Sequence, residues 1–256
     1  MASVVGKNID ETFTAEALAA MDTEDLKRMI LERVKGRDGD KSAQKAQLKK
    51  QLMPLFDTLG DRNSIQGLED EMPLVQGDWK SVWSTIPFQD IVPGRSLNQS
   101  FQIFADNGYY ATLARYQFSQ KIPFLRWFAK GLLNYDLMII QSYGISDRDD
   151  DQNQQAWEIE NVGIRQRFRL KAIPFDPSAA KAWFERAMAK QLKKSRSNEP
   201  AIPTIGIDRS TAKRYEGVYK AKPKLEHLYI DRDFRLVKSS REEKQRPSYT
   251  IATRLI

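Results

Sequence analysis

The chain has 256 residues, with 41 Lys and Arg against 34 Asp and Glu, and a formal net charge of +7. It has no cysteine and one histidine, His227, so zinc sites, Ser-His-Asp triads and Cys-His pairs lack their ligands or their base. No window of about 18 apolar residues predicts a transmembrane helix. The first residues resemble neither a secretory signal nor a transit peptide, so we expect an intracellular protein or a processed chain.

The first quarter of the chain predicts helices. Apolar residues recur at helical spacing over Thr14–Lys35, and Thr23 is expected to begin a second capped helix within this range. A further helix is predicted over Ser42–Leu59, with a kink or a fresh start at Pro54. Residues 60–76 are expected to form a connector.

The stretch Pro73–Phe88 predicts the first strand. Gly77 can adopt a backbone conformation denied to other residues, and from there the side chains alternate, so Trp79, Ser81 and Trp83 are expected to share one face. A large indole at this place is typical of lipocalin-like barrels, in which it plugs the closed end. The alternative is an ordinary hairpin strand with a core tryptophan.

The rest of the chain alternates polar and apolar residues at a period of two, interrupted by turns such as Asn107-Gly108. One helix, Asp176–Lys194, is predicted to pack on the outside of the sheet. The predicted strands are Lys80–Ile86, Asn98–Phe104, Tyr109–Phe118, Leu137–Ile145, Gln155–Val162, Gly163–Ala172, Lys213–Lys220, Glu226–Ile230, Phe234–Lys238 and Ser248–Arg254.

We therefore predict a mainly β (α+β) fold. A lipocalin-like antiparallel β-barrel over residues 73–256 follows an N-terminal helical segment, residues 1–72, that packs on it, and one amphipathic helix is inserted between strands. An eight-stranded barrel is about the size that holds one small ligand. The predicted ligand-binding residues of the interior are Trp83, Phe101, Ile103, Tyr110, Tyr116, Tyr143, Trp157 and Phe168.

The segment Ile122–Leu133 combines large aromatic residues with Arg126 and Lys130. Such a mixture suits a segment that closes a barrel mouth, or one that lies at a membrane interface, and we expect closure. The residues predicted to cover the mouth are Phe124, Trp127 and Phe128.

Two motifs resemble those of one known family. The first is Val75-Gln-Gly77-Asp-Trp79, and the second is Tyr229-Ile-Asp231-Arg-Asp233-Phe-Arg235, followed by a last strand. From about residue 25 to its end the chain resembles the plastid lipid-associated protein family, also called fibrillins. It departs from the family pattern in having no glycine after Arg235, in a longer polar loop before the last strand and in a longer linker near residue 200.

The resemblance implies a lipocalin-like barrel that binds a lipid, quinone, carotenoid or related isoprenoid at thylakoids or lipid droplets. It also implies a cytoplasmic or thylakoid-associated protein of a photosynthetic bacterium, or a plastid protein if the chain is a processed one. The late motif by itself predicts one strand face shared by Tyr229, Asp231, Asp233 and Arg235. We expect Arg235 to be structural, neutralised by carboxylates and stacked on Trp79, rather than to anchor a ligand headgroup. Gly77, Trp79, Tyr229, Asp231, Asp233 and Arg235 are the predicted structural signature.

Three functions compete. The first is non-enzymatic binding, storage or transport of a hydrophobic molecule, with no metal or cofactor and with peripheral contact to an anionic membrane. The second is a lipocalin-shaped pigment lyase or enzyme that uses Asp231 and Asp233 as proton donors. The third is nucleic-acid binding by the basic C-terminal part, where residues 195–256 carry 14 basic and 8 acidic side chains. We expect the first, without nucleic acid, and leave the oligomeric state open.

Overall fold

The computed structural model describes residues 14–65, 67–86, 95–118, 133–145, 157–170, 173–195, 223–240 and 246–255. Within these ranges the chain is mainly β. Four helices precede the first strand: α1 Ala15–Ala20, α2 Thr23–Val34, α3 Ser42–Gly60 and α4 Leu68–Val75. The remaining elements are β1 Gly77–Ser84, β2 Arg95–Phe104, β3 Tyr109–Phe118, β4 Leu133–Ile145, β5 Trp157–Leu170, α5 Pro177–Ser195, β6 Lys224–Ile230, β7 Phe234–Ser240 and β8 Ser248–Arg254.

The eight strands form one antiparallel sheet that closes in a ring. Each strand pairs with its neighbour in sequence, and β1 pairs with both β2 and β8. The β5–β6 ladder is the shortest, with Trp157 opposite Leu225 and Glu158 opposite Lys224. We call this arrangement the closed sheet. Closure gives every strand two hydrogen-bonded neighbours, which removes the exposed edges of an open sheet.

The N-terminal helices cover part of the outer face of the closed sheet. The buried side chains of α1, α2 and α3 form one core with outward residues of β1, β7 and β8. Phe56 stacks on Tyr249 with ring centroids 5.5 Å apart. Lys27 on α2 also donates a 2.6 Å hydrogen bond to Asp231, which ties the helices to the β6–β7 turn. No helix among the described residues is long and apolar enough to cross a membrane.

Helix α5 covers another part of the outer face, as its sequence predicts. Ala180, Phe184 and Ala187 pack against outward residues of β2, β3 and β4. Asp176 caps the helix, since its carboxylate accepts a 3.1 Å hydrogen bond from the N–H of Ala179.

Helix α4 replaces the connector expected over residues 60–76 and the strand start expected at Pro73. The helix contains Pro73, and its first turn has Glu69, Asp70 and Glu71, the acidic residues that favour a helix N-terminus. The predicted strands over 155–162 and 163–172 are one strand, β5, in which a register shift opposite Ile140 and Gln141 breaks the alternation. The predicted strand Lys213–Lys220 lies outside the described residues.

Gly77 joins α4 to β1 and has little room for a side chain. Its φ is +105°, and a Cβ atom at this position would lie 2.8 Å from the guanidinium of Arg254. That guanidinium also donates a 2.6 Å hydrogen bond to the carbonyl of Gln76. Both the backbone angle and the close contact therefore require glycine.

Substitution of Gly77 by alanine tests this junction. We expect Gly77→Ala to destabilise the protein by about 1–3 kcal/mol, because a side chain is strained at this backbone angle and must displace Arg254. Gly39→Ala is the matched control, since Gly39 has open space around its Cβ position and no positive φ. Urea unfolding of both variants checks the expectation, and equal losses of stability would contradict it.

Candidate functional site

A cavity of about 110 Å³ lies inside the closed sheet. Its wall contains residues that alternate along β2, β3, β4 and β7, which identifies the inward face of these strands. The lining residues are Asp38, Ser81, Ser84, Ile86, Ser100, Gln102, Tyr110, Thr112, Ala114, Tyr116, Leu137, Ile139, Gln141, Pro223, Leu225, Val237, Ser239 and Thr250.

The wall mixes hydrogen-bonding and apolar groups. Nine of its 18 residues are Ser, Thr, Gln or Asp, and two more are tyrosines. Some of the polar groups bond each other, as Thr112 does with Gln141 at 3.0 Å and Ser84 with Thr250 at 2.8 Å. The interior can therefore solvate a hydroxyl or carbonyl group as well as an apolar body.

Aromatic side chains fill the end of the closed sheet that α4 occupies. The inward residues at this end form one buried core with Leu68 and Val75 of α4. Phe104 stacks on Tyr110 with centroids 4.5 Å apart, and Tyr143 lies 5.0 Å from Trp157. This aromatic floor separates the cavity from α4.

A chain of buried polar side chains crosses the floor. Two nitrogens of Arg235 contact Nε2 of His227. The Nε–H of Arg235 donates a 3.2 Å hydrogen bond to it, and the terminal Nη2 lies 2.9 Å from it. Nδ1 of His227 lies 2.7 Å from Oε2 of Glu71 on α4, and Trp157 donates a 2.5 Å hydrogen bond to the same oxygen. Gln102 accepts a further, 3.4 Å hydrogen bond from Arg235. We call Arg235, His227 and Glu71 the buried relay.

The relay fixes its own proton positions. A guanidinium only donates, so Nε2 of His227 is an acceptor and Nδ1 carries the proton that is donated to Glu71. Burial lowers the pKa of His227, and the charge of Arg235 lowers it further against the opposing effect of Glu71. Burial also lowers the pKa of Arg235 to about 9, so this group stays charged at neutral pH. A neutral histidine thus bridges a cation and a carboxylate.

Trp79 lies beneath two guanidinium groups. The central carbon of Arg235 is 5.0 Å from the indole centroid, and that of Arg254 is 4.3 Å from it. The indole N–H donates a 2.8 Å hydrogen bond to the carbonyl of Val75 at the end of α4. Trp79 is fully buried, and Arg235 stacks on it as the sequence predicts.

The eight predicted ligand-binding residues do not lie together. Tyr110 and Tyr116 line the cavity, whereas Tyr143 and Trp157 belong to the aromatic floor. Phe101 and Ile103 face outward and pack against α5, which gives β2 apolar residues on its outer face too. The prediction that these two residues line the interior is therefore wrong.

Trp83 and Phe168 are corrected as well. The β1–β8 register shifts between Ser81 and Trp83, so Trp83 turns outward and packs under the N-terminal helices instead of sharing a face with Trp79. Phe168 is 64% exposed near the end of β5 and does not line the cavity.

The late motif is a turn rather than one strand face. β6 ends at Ile230 and β7 begins at Phe234, and the carboxylate of Asp231 accepts hydrogen bonds from the N–H groups of Asp233 and Phe234 at 2.8 Å each. Neither aspartate lines the cavity. Arg235 points inward to His227, not to the carboxylates of the motif as expected, because the turn separates it from them.

The predicted mouth residues Phe124, Trp127 and Phe128 lie outside the described residues. The strands that flank their segment end and begin together, since β3 ends at Phe118 and β4 begins at Leu133. This edge is opposite the end that α4 occupies.

Sequence reasoning missed several site residues. Glu71 lies in the range 60–76, for which the sequence predicts a connector. Gln102 and the Ser and Thr residues of the wall belong to no recognisable motif. The only signal for Gln102, Ser100 and Thr112 is their alternation with apolar neighbours along β2 and β3. In the described part of the chain, no cluster of three or more His, Asp or Glu side chains is placed to hold a metal ion.

The chain was compared with family models, curated proteins and solved structures. No family model, curated protein or solved structure matches the chain. The resemblance to the fibrillin family therefore stays a prediction.

The buried relay makes stability depend on pH in a defined direction. The pKa of His227 in the folded protein lies below its ordinary value of about 6.5, so unfolding takes up a proton at mildly acidic pH. The free energy of unfolding should be nearly constant above about pH 6.5 and should fall by up to about 1.4 kcal/mol between pH 7.5 and 5.5. Urea unfolding at several pH values measures this loss.

His227→Gln is the control for this dependence. The glutamine amide can accept from Arg235 and donate to Glu71 but does not titrate. His227 is the only histidine of the chain, so the variant should be nearly insensitive to pH in this range. An unchanged pH dependence in the variant would show that His227 is not its source.

Proposed function

We propose that the closed sheet binds an amphipathic small molecule, with an apolar body and a hydrogen-bonding group, without chemical conversion. The observation that carries this proposal is the cavity inside the closed sheet, whose wall combines apolar groups with hydroxyls and amides. The strands follow each other around the ring in sequence order, which is the arrangement of lipocalin-like up-and-down barrels, and we include this fold assignment in the proposal.

The size and polarity of the cavity limit the chemical class of the ligand. A cavity of about 150 Å³ lined by aliphatic and aromatic groups holds benzene and stays dry. The cavity of about 110 Å³ is of that order but has polar groups such as Ser100, Thr112 and Gln141. It suits a ring or a short stretch of chain that carries an oxygen function, such as part of a quinone or an oxygenated isoprenoid or lipid. The resemblance to fibrillins adds storage or transport at photosynthetic membranes or lipid droplets to the proposal.

Binding is favoured over catalysis by the position of the ionisable groups. The members of the buried relay bond to each other in the aromatic floor, and none of the three lines the cavity. The carboxylates offered for a lyase, Asp231 and Asp233, belong to the β6–β7 turn. Asp38 is the ionisable carboxylate in the wall, where it accepts from Lys45 and from the N–H of Ser84.

Filling the cavity tests the proposal. Ala114 lines the cavity, so Ala114→Phe should place a phenyl ring in the ligand volume and weaken binding of the neutral fluorophore N-phenyl-1-naphthylamine by about tenfold or more. Fluorescence titration measures the affinity. The matched control is Ala189→Phe, which makes the same change at an exposed position on α5.

The two variants are compared only after their thermal unfolding has been recorded. Overpacking should cost Ala114→Phe about 1–3 kcal/mol, which leaves a folded protein in which binding can be measured. Equal affinities in the wild type and in Ala114→Phe, or no binding by the wild type, would contradict binding in the cavity.

A further inference from the structure

A second concave site lies beside the cavity. It is a groove of about 250 Å³ between α3 and the adjoining ends of β1 and β8. Ile86 lines both the groove and the cavity. Lys45 lines the groove and donates to Asp38, which lines the cavity, so the two sites adjoin at this ion pair and at Ile86. We call the second site the cationic groove.

Among the described residues, the charges that line the cationic groove do not cancel. Its one carboxylate, Asp40, accepts a 2.9 Å hydrogen bond from Arg37. Lys49, Lys50 and Arg246 also line it, and no carboxylate of the described residues forms an ion pair with any of the three.

Lys49 is held in place at the groove. Its ammonium group donates a 3.3 Å hydrogen bond to the carbonyl of Pro247 and lies 4.8 Å from the ring centroid of Tyr249. Burial lowers the pKa of Lys49, and the positive charge of Arg246 lowers it further. Lys49 and Arg246 therefore place two like charges near each other at the groove, an arrangement that a bound anion would stabilise.

Hydroxyl groups complete the lining. Ser42 and Ser248 border the groove and can donate hydrogen bonds to an anion, whereas the hydroxyl of Thr85 donates to the carbonyl of Tyr249. Three cations exceed what a single carboxylate neutralises, whereas a phosphate monoester carries a charge of about −1.5 to −2 and three acceptor oxygens.

We infer that the cationic groove binds the phosphate group of an amphiphile whose apolar part enters the neighbouring cavity. The inference rests on the proposed function, because the cavity supplies the site for the apolar part. It makes the ligand class a phosphate-bearing lipid or isoprenoid. Because the two sites adjoin at Ile86 and at the Lys45–Asp38 pair, the phosphate in the groove and the apolar part in the cavity can belong to one molecule.

The experiment compares two amphiphiles that share a tail. Displacement of bound N-phenyl-1-naphthylamine is measured for 1-oleoyl lysophosphatidic acid and for uncharged 1-oleoyl glycerol, both below the concentration at which they aggregate. We expect the phosphate compound to bind about tenfold more tightly to the wild type, and this advantage to shrink with rising salt.

Two pairs of substitutions carry the test. Lys49→Gln with Arg246→Gln should remove most of the advantage, while leaving the affinities for the glycerol compound and for the neutral fluorophore unchanged. Arg186→Gln with Lys190→Gln removes the same two charges from exposed positions on α5 and should preserve the advantage. Lys50→Gln is a further variant, which spares the contacts of Lys49 with Pro247 and Tyr249 and should weaken the advantage in part.

The outcomes separate the sources of the phosphate and the two proposals. Equal affinities for the two amphiphiles, or an advantage that survives Lys49→Gln with Arg246→Gln, would overturn the inference. So would inorganic phosphate that binds as tightly as the phosphate amphiphile, or a loss confined to attachment to phosphatidic acid vesicles. Failure of the neutral fluorophore to bind in the cavity would instead overturn the proposed function.

Discussion

A buried arginine needs protein groups that compensate its charge and accept its hydrogen bonds. Arg235 is buried inside the closed sheet, and the groups that serve it come from distant parts of the sequence. Within the described residues, the guanidinium is linked to a carboxylate through His227, and that carboxylate is Glu71 on a helix that precedes the first strand. Removing one member would leave a buried charge or donor without its partner, which costs more than the lost hydrogen bond alone. The relay therefore holds α4, β6 and β7 in one arrangement.

The same contacts orient Trp79 and explain the first motif. The indole is covered by Arg235 and Arg254, and Arg254 also donates to carbonyls at the end of α4. Gly77 leaves the space that this guanidinium occupies. The two motifs of the sequence, which are about 150 residues apart, thus meet at one place, the floor of the cavity.

The predictability of each feature follows the range of the interactions that determine it. Local signals sufficed for β3, β8 and α5, where turn residues, alternation and a capping aspartate agree. They failed at Trp83, because a bulge depends on the partner strand, and at α4, where Pro73 masked an acidic helix start. Glu71 and His227 are 156 positions apart, and nothing in either neighbourhood indicates that they meet.

The aromatic residues once expected to line the interior show why residue type alone does not locate a site. The N-terminal helices and α5 each cover part of the outer face, so the outward residues beneath them, such as Phe101 and Trp83, are as apolar as a core. The inner face carries the opposite pattern away from the floor, where serines, threonines and glutamines line the cavity. Polar groups inside a sheet are costly unless they are bonded, and pairs such as Thr112 with Gln141 bond each other across the wall. In the proposed function a ligand with its own polar group would add a partner for these side chains, so the proposal places the site at the polar rather than at the aromatic residues of the interior.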